Sequence, residues 1–323
     1  MPNAIRIHEH GSADVLRWEP VELAAPGPGE AHIRQSAVGL NYIDVYHRTG
    51  AYPQPLPAIL GMEGAGVVES VGANVTDLRP GDRVAYAGVF GAYAEERIVP
   101  ADRLVKLPDG ITDEQAASMM LQGMTAEFLL HRTYQVKPGN TILVHAAAGG
   151  VGLILCQWAR ALGATVIGTV STDEKARLAA ENGCHHPIIY TREDFVARVN
   201  ELTNGQKAAA VYDSVGRDTF QGSLDCLRPL GMMALFGQAS GPVPAFFPAI
   251  LVQKGSLFLT RPSLMHYIAK RPDLLLSANR LFEAVLRGDV KIATNQRYAL
   301  REAAQAHRDL EARKTTGSTV LTV

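Results

Sequence analysis

The alternation of apolar and polar positions changes character near residue 123. Before that point the apolar runs are short, and glycine and proline interrupt them. Ala31-His32-Ile33-Arg34-Gln35-Ser36-Ala37-Val38 alternates with period two, as a half-buried strand does. Gly66-Val67-Val68-Glu69-Ser70-Val71-Gly72 and Arg83-Val84-Ala85-Tyr86 predict further strands, with a turn at Pro80-Gly81-Asp82. The pattern predicts a compact, irregular, β-rich domain. Beyond residue 123, strand-like and helix-like segments alternate. Strands are predicted at 141–144, 165–170, 188–190, 210–213 and 232–236. Helices are predicted over 150–162, stopped by Gly163, over 173–182, stopped by Gly183, and near 194–202 and 219–227. Such alternation implies right-handed βαβ units and a parallel sheet. Amphipathic helices near 273–287 and 300–313 and a strand at 319–323 read as a tail packing back on the first domain.

Bulk properties narrow the class. At 323 residues the chain exceeds the size at which a single core usually splits, so two domains are expected. It is 47% hydrophobic and 20% charged, as ordinary globular enzymes are. A net charge of -1 leaves no electrostatic footprint for nucleic acid or an anionic membrane. No apolar run is long enough for a bilayer, and Met1-Pro2-Asn3-Ala4-Ile5-Arg6 lacks the apolar stretch of a signal peptide. Cys156, Cys184 and Cys226 are scattered, without a CxxC pair. A cytoplasmic protein without disulfides is therefore expected.

The candidate chemistry centres on His145-Ala146-Ala147-Ala148-Gly149-Gly150-Val151-Gly152, between a predicted strand and a predicted helix. A tight small-residue turn of this kind lets backbone N–H groups approach a pyrophosphate, and the helix N-terminus adds partial positive charge. Ala147 stands where the usual fingerprint has its first glycine. Without a ligand, the same residues are simply a packed strand–helix turn. About 20 residues further on, a dinucleotide fold presents the side chain that meets the adenosine ribose. Here the strand ends at Thr169-Val170-Ser171 with no carboxylate, and Lys175 and Arg177 follow in the next helix. A small hydroxyl beside a lysine suits a 2′-phosphate and favours NADPH over NADH. Asp173 and Glu174 stand against that reading unless they serve the helix dipole, and Lys175 and Arg177 otherwise form a solvated helix face.

Several segments together resemble the quinone oxidoreductases, the zeta-crystallin-like, zinc-independent branch of the medium-chain dehydrogenase/reductase superfamily. They are Val38-Gly39-Leu40-Asn41-Tyr42-Ile43-Asp44, Gly61-Met62-Glu63-Gly64-Ala65-Gly66, Pro80-Gly81-Asp82-Arg83-Val84, Gln122-Gly123-Met124-Thr125-Ala126, the Ala-Ala-Gly-Gly-Val-Gly turn, Tyr212-Asp213-Ser214-Val215-Gly216 and Thr260-Arg261-Pro262. The resemblance runs over nearly the whole chain. It implies an α/β protein with a GroES-like, β-rich catalytic domain at 1–122, completed by 263–323. A Rossmann cofactor domain with a doubly wound parallel sheet would occupy 123–262. It also implies a homodimer joined through the cofactor domains, for which the apolar stretch 244–252 and Leu257-Phe258-Leu259 offer a sheet edge.

The resemblance also implies roles for single residues. Asn41 would lie beside the nicotinamide, with Asp44 and Tyr46 close by. Gly123 and Thr125 would approach the cofactor from the start of a helix, and Ala148, Gly149, Gly150, Val151 and Gly152 would form the pyrophosphate turn. Lys175 and Tyr190 would flank the 2′-phosphate, near Ser171. Ser214, Phe236, Gly237, Phe258 and Thr260 would line the cofactor from strand ends, and Arg313 would reach in from the C-terminal helix.

Zinc-dependent relatives carry Gly-His-Glu where this chain has Gly61-Met62-Glu63, and a cysteine near Asn41. A thioether and an amide do not make a zinc site, so no metal is expected. His185-His186 reads as a surface turn before Pro187. Without a Lewis acid, alcohol oxidation is disfavoured. A quinone suits a site that offers orientation, dryness and a few polar contacts around a nicotinamide. Tyr46 and Tyr52 would stack the ring and donate to its carbonyl, and the family resemblance implies reduction to the semiquinone. An NADPH-dependent alkenal or enone reductase and a non-catalytic NADPH-binding protein stay open as alternatives.

Overall fold

The computed structural model describes residues 1–323. The chain folds into two compact units. The first comprises 1–124, 268–286 and 292–323; the second comprises 125–267 and 287–291.

In the first unit the strand Glu30–Leu40 is the hub of a seven-stranded sheet. It pairs antiparallel with Glu63–Val71, with Glu96–Pro100 and, near its C-terminal end, with Ser318–Thr322. The tail thus completes the sheet of this unit. Ile33 and Val38 point inward with Leu60, Val68, Tyr86, Tyr93, Val99 and Leu104, which gives the sheet a continuous apolar face to bury. Gly39 is obligatory for close packing. A Cβ there would collide with the Ala117 carbonyl and the Glu63 carboxyl.

The second unit is a six-stranded, wholly parallel sheet. Its order is His186–Ile189, Thr165–Val170, Thr141–Val144, Ala208–Asp213, Leu227–Leu235, Phe258–Thr260. In sequence order within the unit that is 3-2-1-4-5-6, the doubly wound arrangement of a Rossmann domain. The strands are buried on both faces, which explains why they read as unbroken apolar runs; all six residues of Ala208–Asp213 are buried. The winding reverses between Thr141–Val144 and Ala208–Asp213. Ligands of such sheets bind beyond the carboxyl ends of the strands at this switch point.

Three local expectations are corrected. The stretch 244–252 contains no strand; it enters the short helix Ala249–Gln253, and the sheet edge is Phe258–Thr260. His185 is more than a surface turn, because its Nδ1 accepts the Val166 N–H at 3.0 Å, and His186 opens a strand. The helix expected near 300–313 is a short 3-10 turn, Leu300–Glu302, followed by the α-helix Ala303–Glu311.

Candidate functional site

In the first unit, Asn41 caps the helix Tyr42–Thr49, directly after the hub strand. The Asn41 N–H donates to Asp44 Oδ2 at 2.9 Å, which closes the first turn. The amide is thereby left for other partners. Asn41 Nδ2 donates to Glu63 Oε2 at 2.6 Å, and Asn41 Oδ1 accepts from Gln122 Nε2 at 3.1 Å. Gln122 Oε1 in turn accepts from Ser318 Oγ at 2.7 Å. Asn41 therefore has one orientation: reversing it would turn its oxygen toward a carboxyl oxygen and its amide donors toward a donor.

Glu63 is fully buried and also accepts the Leu121 N–H at 2.9 Å. Burial pushes its carboxyl up to about 8, against the pull of Asn41 and Leu121. The zinc-type donor set is replaced here by an amide–carboxyl hydrogen bond beside the buried thioether of Met62. No group of three His, Cys, Asp or Glu side chains is placed to hold a metal.

Asp44 is equally buried. Its Oδ2 also accepts from the Tyr93 hydroxyl at 3.0 Å, and its Oδ1 has no partner. Burial pushes Asp44 up to about 7. The contacts continue to the C-terminal helix. Arg48 Nη1 donates to His307 Nδ1 at 3.0 Å, so the His307 Nε2 proton faces the Tyr93 oxygen, also at 3.0 Å. Arg48, 1% exposed, is neutralised by two hydrogen bonds to Glu311 at 2.7 and 2.8 Å. Burial, and then Arg48, hold His307 down to about 3. Gln122, Tyr93, His307, Arg48 and Glu311 were not singled out from the sequence as site residues. Their contacts join positions as far as 263 residues apart, a separation that carries no local pattern.

Tyr46 and Tyr52 form one aromatic face with Tyr42. Ring centroids are 5.3 Å apart for Tyr42–Tyr46 and 5.0 Å for Tyr46–Tyr52. The Tyr52 N–H donates to the Tyr46 carbonyl at 3.0 Å, which folds the 50–55 segment back on the helix. All three rings are half-buried. Gly123 lies within the helix Met120–Phe128, and its lack of a Cβ makes room for the Leu281 side chain. Arg313 is exposed and lies two residues beyond the helix Ala303–Glu311, in the left-handed region, so it does not extend from the helix itself.

In the second unit, Thr141–Val144 runs into the turn 145–149 and then the helix Gly150–Ala161. A Cβ on Gly152 would collide with the Ala146 carbonyl, so only glycine lets the turn fold so tightly on the helix. No side chain caps this helix at Gly149. Gly149, Gly150 and Val151 are half-buried, while Ala148 and Gly152 are buried. That is the form of a backbone cradle for an anion.

At the next strand end, Thr172 caps the helix Asp173–Glu181 by accepting the Lys175 N–H at 3.2 Å. Lys175 is half-buried in the first turn, beside Ser171. Arg192, not singled out from the sequence, pairs with Asp173 at 2.5 and 3.0 Å and takes up that charge. Thr191 Oγ1 donates to the Ser171 carbonyl at 3.0 Å and ties Tyr190 and Ser171 to neighbouring strand ends. Thr125 is buried. Ser214, Phe236 and Gly237 follow adjacent strands, and a Cβ on Gly237 would collide with Ser214. Thr260 ends the edge strand, and Phe258 is 55% exposed on it.

A family model for the alcohol dehydrogenase GroES-like domain matches residues 27–109, and one for zinc-binding dehydrogenases matches 150–273. A quinone oxidoreductase of Pseudomonas aeruginosa is 53% identical over 323 residues, 99% of each chain. A 2-haloacrylate reductase of a Burkholderia species is 48% identical over 99% of each chain. The crystal structure of Escherichia coli quinone oxidoreductase complexed with NADPH superposes with a TM-score of 0.97 at 46% identity, covering 99% of this chain and 100% of that one. Identity of this extent over both units, on the fold described above, shows that the chain belongs to the quinone oxidoreductase family of the medium-chain dehydrogenases/reductases.

Proposed function

We propose that the protein is an NADPH-dependent quinone reductase that works without a metal. The observation that carries this reading is the near-complete superposition on a quinone oxidoreductase solved with NADPH. The residues fit that cofactor. The turn at 146–152 leaves an uncapped helix N-terminus and bare backbone, which suits a pyrophosphate. Ser171 and Lys175, with Asp173 neutralised by Arg192, suit a 2′-phosphate.

When bound, NADPH would supply the reducing electrons. The chain supplies position. We assign Ala148, Gly149, Gly150, Val151 and Gly152 to the pyrophosphate, and Ser171, Lys175 and Tyr190 to the adenosine phosphate. Ser214, Phe236, Gly237, Phe258 and Thr260, with Gly123, Thr125 and Arg313, complete the cofactor set. We assign Asn41, whose amide is held in one orientation by Glu63 and Gln122, to the nicotinamide. The rings of Tyr46 and Tyr52 offer a flat apolar face to a quinone and hydroxyls to its carbonyl. Asp44 closes the first turn of the helix that carries Tyr46.

The test is an NADPH-oxidation panel over 1,4-quinones, 2-alkenals, 2-haloacrylates and aldehydes, with and without a chelator. The expected result is a kcat/KM for quinones more than about tenfold above the others, untouched by chelator. Preference for an alkenal or haloacrylate by that factor would overturn the quinone assignment in favour of the second relative's chemistry.

We further infer a homodimer through the second unit. Phe258–Thr260 is the edge of the parallel sheet, and Phe258, Phe247, Val252 and Leu230 are exposed around it. Light scattering should give twice the chain mass, falling to the monomer in Phe258→Glu. No helix is long and apolar enough to cross a membrane. The three unpaired, buried cysteines suit a reducing compartment, and we place the protein in the cytoplasm.

A further inference from the structure

A buried polar chain crosses the switch point of the parallel sheet. His145 follows the first strand of the unit, Thr169 belongs to the second, Asp213 ends the fourth, and Ser223 lies in the helix Phe220–Asp225. All four are at most 2% exposed. Asp213 Oδ1 accepts the N–H groups of Val215 and Gly216 at 2.8 and 3.0 Å. Asp213 Oδ2 accepts from Thr219 Oγ1 and Ser223 Oγ, both at 2.7 Å. The four acceptor positions of the carboxylate are filled.

The direction of every remaining hydrogen bond then follows. Ser223 has one proton and gives it to Asp213, so toward His145 Nε2, at 2.9 Å, it accepts. His145 Nε2 therefore carries the proton. Burial holds the ring below its ordinary value, so it is neutral and Nδ1 is bare. Nδ1 then accepts from Thr169 Oγ1 at 2.8 Å. The Phe195 ring closes over the imidazole edge-on, with centroids 5.1 Å apart. The chain runs one way: Thr169 to His145 to Ser223 to Asp213.

Three of the four members stand next to backbone assigned above to the cofactor. His145 opens the pyrophosphate turn. Thr169 lies two residues before Ser171, on the strand that leads to Lys175. Asp213 clamps the loop that carries Ser214. We propose that His145 is a cofactor-positioning residue: as the neutral Nε2–H tautomer it locks the phosphate-side strand end, the pyrophosphate turn and the Ser214 loop into one arrangement through Thr169, Ser223 and Asp213. The inference rests on the NADPH reading of this unit.

The two arms of the chain make different predictions. Thr169→Val removes the donor to His145 on the arm that leads to the 2′-phosphate residues. It should raise the NADPH Kd about three- to tenfold and the NADH Kd less, so that the preference for NADPH falls. Thr169→Ser keeps the donor and should restore the preference. Ser223→Ala cuts the arm behind the pyrophosphate turn and should weaken both cofactors by the same factor. In all folded variants kcat at saturating NADPH should stay within about twofold of the parent, because a positioning role in binding appears in affinity. Nitrogen-15 shifts of the His145 ring should show a protonated Nε2 and a bare Nδ1 at neutral pH, about 7 to 8.

Thr169→Val with both dissociation constants unchanged, or Thr169→Ser no better than Thr169→Val, overturns the proposal. So does the reversed tautomer. If Ser223→Ala fails to fold, the Thr169 pair and the nitrogen shifts decide alone. Failure of the parent protein to bind NADPH would instead break the functional reading beneath the proposal.

Discussion

Asp213 in the second unit and Asp44 in the first are both fully buried carboxyls beside the end of a strand or the start of a helix, yet their surroundings differ. Asp213 receives four hydrogen bonds, two on each oxygen. Asp44 receives two, both on Oδ2, while Oδ1 has none. Burial accordingly pushes Asp44 up to about 7 and its neighbour Glu63 up to about 8. Donors oppose desolvation. A buried carboxylate with its lone pairs filled serves as framework, whereas one with fewer donors than lone pairs takes up a proton within the working range. The cofactor unit is built on the first kind and the asparagine cluster on the second.

The sharpest way to break this comparison is to remove each carboxyl. Asp213→Ala strands four donors in the interior and should cost about 3–5 kcal/mol in urea unfolding. Asp44→Asn keeps an oxygen for Asn41 and Tyr93 and replaces an oxygen that has no partner, so about 1 kcal/mol is expected. Equal costs would show that the donor count is not what separates the two sites.

The next effect concerns affinity. If the second unit acts through fixed charge placement, Lys175→Ala should raise the KM for NADPH about 10- to 100-fold and leave that for NADH nearly unchanged. An equal effect on both cofactors would remove the 2′-phosphate from the account of this strand end and would sever the charge argument that Arg192 completes.

Stability against pH sharpens the other side. Asp44 and Glu63 have ordinary values of 3.8 and 4.5 and are raised in the fold. Their contribution is full below those ordinary values and is lost as pH rises through about 7 and about 8. His307, His145 and His47 are lowered from 6.5, so their contribution is full above that value and lost as pH falls below it. The two sets oppose each other at acid pH, and above 6.5 only the carboxyls remain. Thermal stability should therefore fall above that point, by ~2 kcal/mol up to about pH 8. Asp44→Asn should remove about 1 kcal/mol of that fall. A flat limb in the parent protein would mean the two carboxyls are already charged in the fold.

The two units also differ in how far the sequence announces them. The parallel strands are buried on both faces, so Thr141–Val144 and Thr165–Val170 stand out as apolar runs punctuated by glycine. Thr294–Ala299 has no such signal. It reads Thr-Asn-Gln-Arg-Tyr-Ala, because it is the outer strand of its sheet and needs no apolar face. In 244–252, apolar composition suggested an edge strand, but Pro248 leads into a short helix with no buried residue. The replacement of a zinc-type donor set was legible in Met62 and Asn41, since side-chain type alone decides it. What fills the space was not. Apart from the local Asn41–Asp44 contact, the partners of Asn41, Asp44 and His145 lie 22 to 81, 49, and 24 to 78 residues away, and only the fold brings them together.

The smallest expected effect tests whether the aromatic face acts as a surface or through a single hydroxyl. Tyr46 and Tyr52 lie 5.0 Å apart, centroid to centroid, and each carries a hydroxyl at the end of a flat ring. Tyr52→Phe removes one donor and keeps the ring. If either hydroxyl can serve a quinone carbonyl, each single change to Phe should lower kcat/KM by less than about threefold. The double change should then cost more than the product of the singles, because contacting residues that substitute for each other are non-additive. Tyr52→Ala should exceed Tyr52→Phe, since it deletes the stacking face as well. A large loss in one single Phe variant alone would make that tyrosine the specific donor. The first unit would then hold a fixed polar contact of the kind the comparison assigns to the second.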